Sequence, residues 1–149
     1  MKLPEPYLPS DMPGLVGQLT RLWRQLQTLL GTVDSGVYTP TTTLTTNVTT
    51  ATGFSGQWSQ VGNTVTVSVR VDVTPTAAGT VVVGLALPVA ANLVNFSDLA
   101  GSGTAVQGTN YLGVAVSADP TPDAAKFSFQ APNTSVHQVW MTFTYRLSS

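Results

Sequence analysis

The chain has 149 residues and a formal net charge of −1, which excludes a global attraction to nucleic acid or to an anionic membrane. Only 9% of its residues are charged, against roughly 25% in an ordinary soluble domain, and Thr is the commonest residue, so solubility rests on hydroxyls and amides. No cysteine is present, which excludes disulfides and thiolate metal sites.

Taken in chain order, the sequence begins with an extended arm. Pro4, Pro6, Pro9 and Pro13 forbid early helix, and Leu3, Tyr7, Leu8 and Met12 give the arm apolar handles. Residues 1–13 therefore read either as a disordered terminus or as a tether lying along a partner surface. The opening Met1-Lys2-Leu3-Pro4-Glu5-Pro6 breaks into prolines at once, so no secretory signal is expected. No apolar run approaches the ~18 residues of a membrane span, so no membrane insertion is expected.

Ser10 or Asp11 can cap a helix with Pro13 in its first turn, and the helix is predicted from about Gly14 to Leu30, with Gly31 as its stop. Its apolar residues fall at Leu15, Leu19, Leu22, Leu26, Leu29 and Val33, intervals that alternate four and three as heptad core positions do. Val16, Trp23 and Leu30 widen the stripe, which suits a bundle of three or more helices or a helix lying on a sheet. Gln18, Arg21, Arg24, Gln25 and Gln27 make the polar side. Residues 14–33 are read as an oligomerising helix, because the Gly/Thr-rich joint behind it separates it from a domain able to close its own core.

From Asp34 the apolar period switches to two. Val65, Val67, Val69, Val71 and Val73 alternate with Thr66, Ser68, Arg70 and Asp72, a strand with one dry face that follows a Gly62-Asn63 turn and ends at Pro75. Val81–Leu87, Tyr111–Ser117 and Lys126–Gln130 read as further strands. The last strand places Val139, Met141, Phe143, Tyr145 and Leu147 on one face, with Trp140, Thr142 and Thr144 on the other. The Thr tract 39–52 reads as one or two edge strands, and Asn92–Ala100 as a helical turn or loop. Short strands with turn signals between them predict a mainly β protein, an antiparallel β-sandwich or jelly roll over 34–149.

Chemistry is hard to find. His137 is the only histidine, expected as a surface or turn residue, and no G-x-S-x-G elbow accompanies it. Asp119 and Asp123 flank a Pro-Thr-Pro turn, where Asp serves turn geometry rather than paired-carboxylate hydrolysis. No H-x-x-x-H or D-x-D-x-D spacing points to a metal, and Gly101-Ser102-Gly103 lacks the Lys and helix of a phosphate loop. The N-x-S/T tripeptides at Asn47, Asn95 and Asn133 follow from composition. No enzymatic activity and no cofactor are therefore expected. Trp58, Tyr111 and Trp140 are candidate glycan contacts, since sugars stack on exposed rings; core or subunit contact is the competing fate of each.

Several segments, in order, carry a resemblance: Ser35-Gly36-Val37-Tyr38-Thr39-Pro40-Thr41, Trp58 to Ser68, Val71-Asp72-Val73-Thr74-Pro75-Thr76, Leu85-Ala86-Leu87-Pro88 and Phe143-Thr144-Tyr145-Arg146. Over 34–149 this resembles a β-sandwich domain of small virion proteins of tailed bacteriophages, of the head-fibre, tail-fibre or capsid-decoration type. The resemblance implies a virion-surface protein made in the host cytoplasm, commonly a homotrimer, anchored on capsid or tail subunits by an N-terminal segment. Here that segment would be Leu3, Pro4, Pro6, Tyr7 and Leu8, with Leu15, Leu19, Leu22, Trp23, Leu26, Leu29, Leu30 and Val33 joining the copies. The alternative it implies is a tail-associated receptor-binding module that holds host surface glycan. No catalytic residues transfer with it.

Overall fold

The computed structural model describes residues 13–31 and 33–147. A single α-helix among them, α1 (Pro13–Leu30), is followed by ten strands. These are β1 (Val33–Tyr38), β2 (Thr42–Thr46), β3 (Val48–Gly53), β4 (Gly56–Val61), β5 (Thr64–Pro75), β6 (Gly79–Leu85), β7 (Leu99–Gln107), β8 (Asn110–Asp119), β9 (Ala124–Ala131) and β10 (His137–Arg146), with one 3₁₀ turn at Phe96–Asp98. The protein is mainly β, as its alternating apolar pattern predicts.

Helix α1 ends where the sequence places a stop. Gly31 takes a φ of +62°, a left-handed conformation that costs glycine nothing, and its N–H donates to the Gln27 carbonyl at 3.1 Å. Val33 does not continue the helical stripe, contrary to its place in the predicted 14–33 segment. It opens β1 and pairs with Val61, because the left-handed turn at Gly31 redirects the chain into the sheet.

All strand pairs are antiparallel and form one continuous curled sheet in the order β1-β4-β5-β10-β7-β8-β9-β6-β2, with β3 pairing β5 beside this path. The long β5 pairs on one side with β10 from Thr64 to Val73 and on the other with β4 near its start and β3 near its end. Consecutive β2 and β3 join the two arms of the curl, since β2 pairs with β6 and β3 with β5. The turn between them is held by Asn47, with a φ of +56°: its side chain accepts a hydrogen bond from the Ala77 N–H at 2.8 Å and donates to the Ala77 carbonyl at 2.9 Å. The Thr tract is thus two strands, one of them the edge of the path.

Inside the curl lies one apolar core. Val65, Val67, Val69, Val71 and Val73 of β5 face Val81, Val83 and Leu85 of β6, Phe127 and Phe129 of β9, and Val139, Met141, Phe143 and Tyr145 of β10. Burying a Val, Leu, Phe or Met side chain stabilises by about 1.5–3 kcal/mol, which is why period-two alternation fixes register here. Strand β7 falls outside the regions predicted as strands. Its inward positions are Leu99, Gly101, Gly103 and Ala105, so the apolar signal fades along it. The small residues have a steric reason. A Cβ on Gly101 would meet Phe143 and the Thr142 carbonyl, and one on Gly103 would meet the Trp140 carbonyl and Met141. The sheet bends tightly between β7 and β10, and only glycine fits the crease.

The outer face explains the composition. Thr and Ser hydroxyls pair across strands in place of charges: Thr66 with Thr144 at 3.3 Å, Thr142 with Ser68 at 3.4 Å and Thr50 with Thr74 at 3.0 Å.

Candidate functional site

Two surfaces stand out against this background, one on the helix and one on the outer face of the sheet. On α1, Leu15, Leu22 and Leu26 are 49%, 59% and 41% exposed. Leu19 and Trp23 are half-buried, and the side chains of Leu29 and Leu30 lie outside the described residues. No strand packs extensively on α1 among the described residues. Its C-terminus abuts the β4–β5 turn, where a Cβ on Gly31 would sit 3.2 Å from the Gly62 Cα. The end of β10 reaches the same pole, with the Leu147 N–H donating to the Asn63 carbonyl at 2.7 Å. Leu3, Pro4, Pro6, Tyr7 and Leu8, the predicted anchoring residues, lie outside the described residues.

The second surface follows from register. Residues directly opposite in an antiparallel pair share a face. Gln57, Ser68, Thr142 and Ser102 therefore form one cross-strand row over β4, β5, β10 and β7, and Arg70, Trp140 and Thr104 form the next. Phe54, in the β3–β4 connection, donates its N–H to the Arg70 carbonyl at 3.0 Å. This brings its ring to one side of the guanidinium, with the Arg70 Cζ 4.6 Å from the Phe54 centroid and 5.4 Å from that of Trp140. Arg70 Nε and Nη2 each donate to an Asp72 carboxylate oxygen at 2.9 Å, a bidentate pair that raises the Arg70 pKa above its ordinary value. Phe54, Arg70, Trp140 and the two cross-strand rows line an open groove of about 610 Å³, with Asp72 just outside it. Trp140 and Phe54 are 43% and 40% exposed on its wall.

The structure separates the three aromatic residues singled out from sequence. Trp140 belongs to the groove. Trp58 pairs with Val67 and Gly36 and packs half-buried against the core, where a Cβ on Gly36 would meet its Nε1 at 2.8 Å. Tyr111, 74% exposed, pairs with Val106 near the β7–β8 turn. Arg70, Asp72 and Phe54 were missed as site residues. The first two are readable in retrospect, because residues two apart on a strand share a face. Phe54 is not, since nothing local tells that the β3–β4 connection lies against β5.

Elsewhere the polar groups serve the fold. His137 is buried rather than at the surface: strand β10 starts at it, its Nδ1 lies 2.7 Å from the Ser135 carbonyl, and its ring centroid is 5.3 Å from that of Phe129. Its Nε2 has no hydrogen-bond partner among the described residues. Asp123, with a φ of +62°, accepts from the Leu93 N–H at 2.7 Å. The Asn95 and Val94 N–H groups donate to Asp98 at 2.8 Å, which holds its carboxyl below the ordinary range. Gly101-Ser102-Gly103 is mid-strand, in β7. Tyr145 donates its O–H to the Val89 carbonyl at 2.8 Å, ties down the segment after β6, and is pushed up to about 12 by burial. Burial first, then the nearby Tyr145, raises Tyr38 well above the usual tyrosine range. No cluster of three or more His, Cys, Asp or Glu is present among the described residues. No helix among them is long and apolar enough to cross a membrane.

The fold and its two surfaces define a mainly β, curled antiparallel domain led by an amphipathic helix. No family model, no curated protein and no solved structure matches the chain.

Proposed function

We propose that this chain is a structural protein of a bacteriophage virion, without enzymatic activity: a homotrimeric capsid-decoration or head-fibre protein on the virion surface. Helix α1 joins the copies, the arm 1–13 docks on a capsid or tail subunit, and the β domains project outward as sandwich or jelly-roll modules. The exposure of Leu15, Leu22 and Leu26 carries the reading. These leucines lie at heptad spacing on a helix that its own sheet leaves largely uncovered. Another copy of the same stripe is an apolar occupant of matching length and period. The breadth of the stripe, with Val16 and Trp23 beside it, favours three helices over two. The virion setting rests on the segments from Ser35 to Arg146 quoted above.

Sedimentation of the full chain tests the assembly. The unaltered protein should sediment as a trimer, and Leu22→Asp combined with Leu26→Asp should sediment as a monomer with an unchanged β circular-dichroism signal. An unaltered chain that runs as a monomer at high micromolar concentration, or a double variant that stays oligomeric, would overturn it.

A further inference from the structure

We propose that the outer-face groove of Phe54, Arg70 and Trp140 is a binding site for an uncharged saccharide, independent of how the helix assembles. The groove has the two kinds of surface that a sugar ring presents. Its wall is aromatic, with Trp140 and Phe54 exposing ring surface against which the C–H face of a pyranose can stack. Its floor is the row Gln57, Ser68, Thr142 and Ser102, which offers hydroxyl and amide groups that both donate and accept. Sugar hydroxyls need both, and a floor built only of donors or only of acceptors would not serve them.

Charge decides which saccharide. Asp72 neutralises Arg70 through two hydrogen bonds of 2.9 Å, so the groove carries no unpaired charge to attract a sialic acid, sulfate or phosphate. Those bonds occupy Nε and one hydrogen of Nη2. Nη1 makes no hydrogen bond to another described residue, and it is left as a directed donor for a neutral hydroxyl. The guanidinium is also fixed before any ligand arrives, held by Asp72 and flanked by two rings, so its ordering entropy is spent in folding rather than in binding. Position agrees with display. Arg70 lies six residues along β5 from Thr64, about 20 Å at 3.4 Å per residue, and Thr64 borders the pole where α1 leaves the domain. On the function proposed above, a particle held at the helix end would leave the groove open, though the binding chemistry does not depend on it.

The test is a glycan array of neutral, sialylated and phosphorylated oligosaccharides probed with the full chain, followed by solution titration of each bound oligosaccharide by intrinsic fluorescence. Binding of one or more neutral oligosaccharides is expected. Trp140→Ala and Arg70→Met should each weaken it by about tenfold, equivalent to about 1.4 kcal/mol, and Tyr111→Ala should leave it unchanged. Ser102→Trp, which fills the floor from the solvent side without touching the core, should abolish binding in a protein with an unaltered circular-dichroism spectrum. It keeps the question open to refutation if Trp140→Ala does not fold. Absence of any neutral ligand at millimolar concentration, a preference confined to acidic glycans, or full binding by folded Ser102→Trp would each overturn the proposal.

Discussion

Helix α1 and strand β5 carry apolar residues with equal regularity, yet the two patterns meet opposite fates. Val65, Val67, Val69, Val71 and Val73 are buried in the core inside the curl. Leu15, Leu22 and Leu26 remain exposed. Periodicity states which face of an element is apolar, but not what covers it. In β5 the cover is the chain's own β6, β9 and β10; on α1 the described residues supply little of it. Stability of the folded domain should therefore live almost wholly in the sheet, and under the proposed function the helix is left for assembly.

The largest effect expected from this division is in the core. Phe127 is fully buried between β6 and β8 and pairs with Val83 and Val116. Phe127→Ala removes its contacts and leaves a cavity, at a cost of about 3–5 kcal/mol. Urea unfolding of the full chain measures it. A loss below about 1 kcal/mol would mean that the core is not the single packed unit described above.

Tyr145 comes next. Its hydroxyl donates to the Val89 carbonyl and accepts from the Val89 N–H at 3.2 Å, so Tyr145→Phe strands two backbone groups and should cost about 1–3 kcal/mol. The same residue sets a pH dependence. Its folded pKa is pushed from 10.0 to about 12, so the unfolded chain binds fewer protons across that interval. Stability is complete below the unfolded value of 10.0 and falls as pH rises toward 12. Urea midpoints measured across the interval should decline, and decline less in Tyr145→Phe. An identical decline in the variant would assign the dependence to Tyr38 instead, whose hydroxyl is raised in the same direction.

Smaller again is the effect of Asn47→Gly, at the turn where the curl is tied at its join. Asn47→Gly keeps the left-handed backbone and loses both hydrogen bonds to Ala77, about 0.5–1.5 kcal/mol. Asn47→Ala loses the same bonds but, unlike Asn47→Gly, keeps a Cβ at a φ of +56°, which places it about 1–2 kcal/mol below the Gly variant. The ordering Asn, Gly, Ala in urea midpoint separates bond from backbone. Equal midpoints for Gly and Ala would remove the backbone share.

What could be read from the chain followed the same physics. The alternations Val65–Val73 and Val139–Leu147 named their strands and their buried faces, because one dry side is a period-two signal. Strand β7 was illegible because its fit to β10 requires Gly101 and Gly103, residues that erase the apolar signal they make room for. The outer groove was half legible. Trp140 could be placed opposite the apolar face of β10, but its neighbours Arg70 and Phe54 come from elements that only the pairing of β5 with β10 and the β3–β4 connection bring together. Trp58, though it sits in a polar stretch, meets the core fate set against glycan contact: its opposite residue is Val67, and the register turns it inward.

The smallest expected change in domain stability is on the helix itself, and it bears hardest on the comparison. Leu22 is the most exposed of the three leucines. In dilute monomeric protein Leu22→Ser should alter the urea midpoint of the sheet by no more than about 0.5 kcal/mol, the range of surface substitutions away from special contacts. On the proposed assembly, the same substitution should lower the association constant, because the exposed leucine is then buried where the helices meet. Stability measured against protein concentration reveals the difference. The unaltered chain should gain stability with concentration, as mass action requires of any folded state that binds itself, and Leu22→Ser should gain less. If Leu22→Ser instead destabilised the dilute domain as strongly as Tyr145→Phe, the helix would be packed on its own sheet, and the contrast between α1 and β5 would dissolve into one shared core.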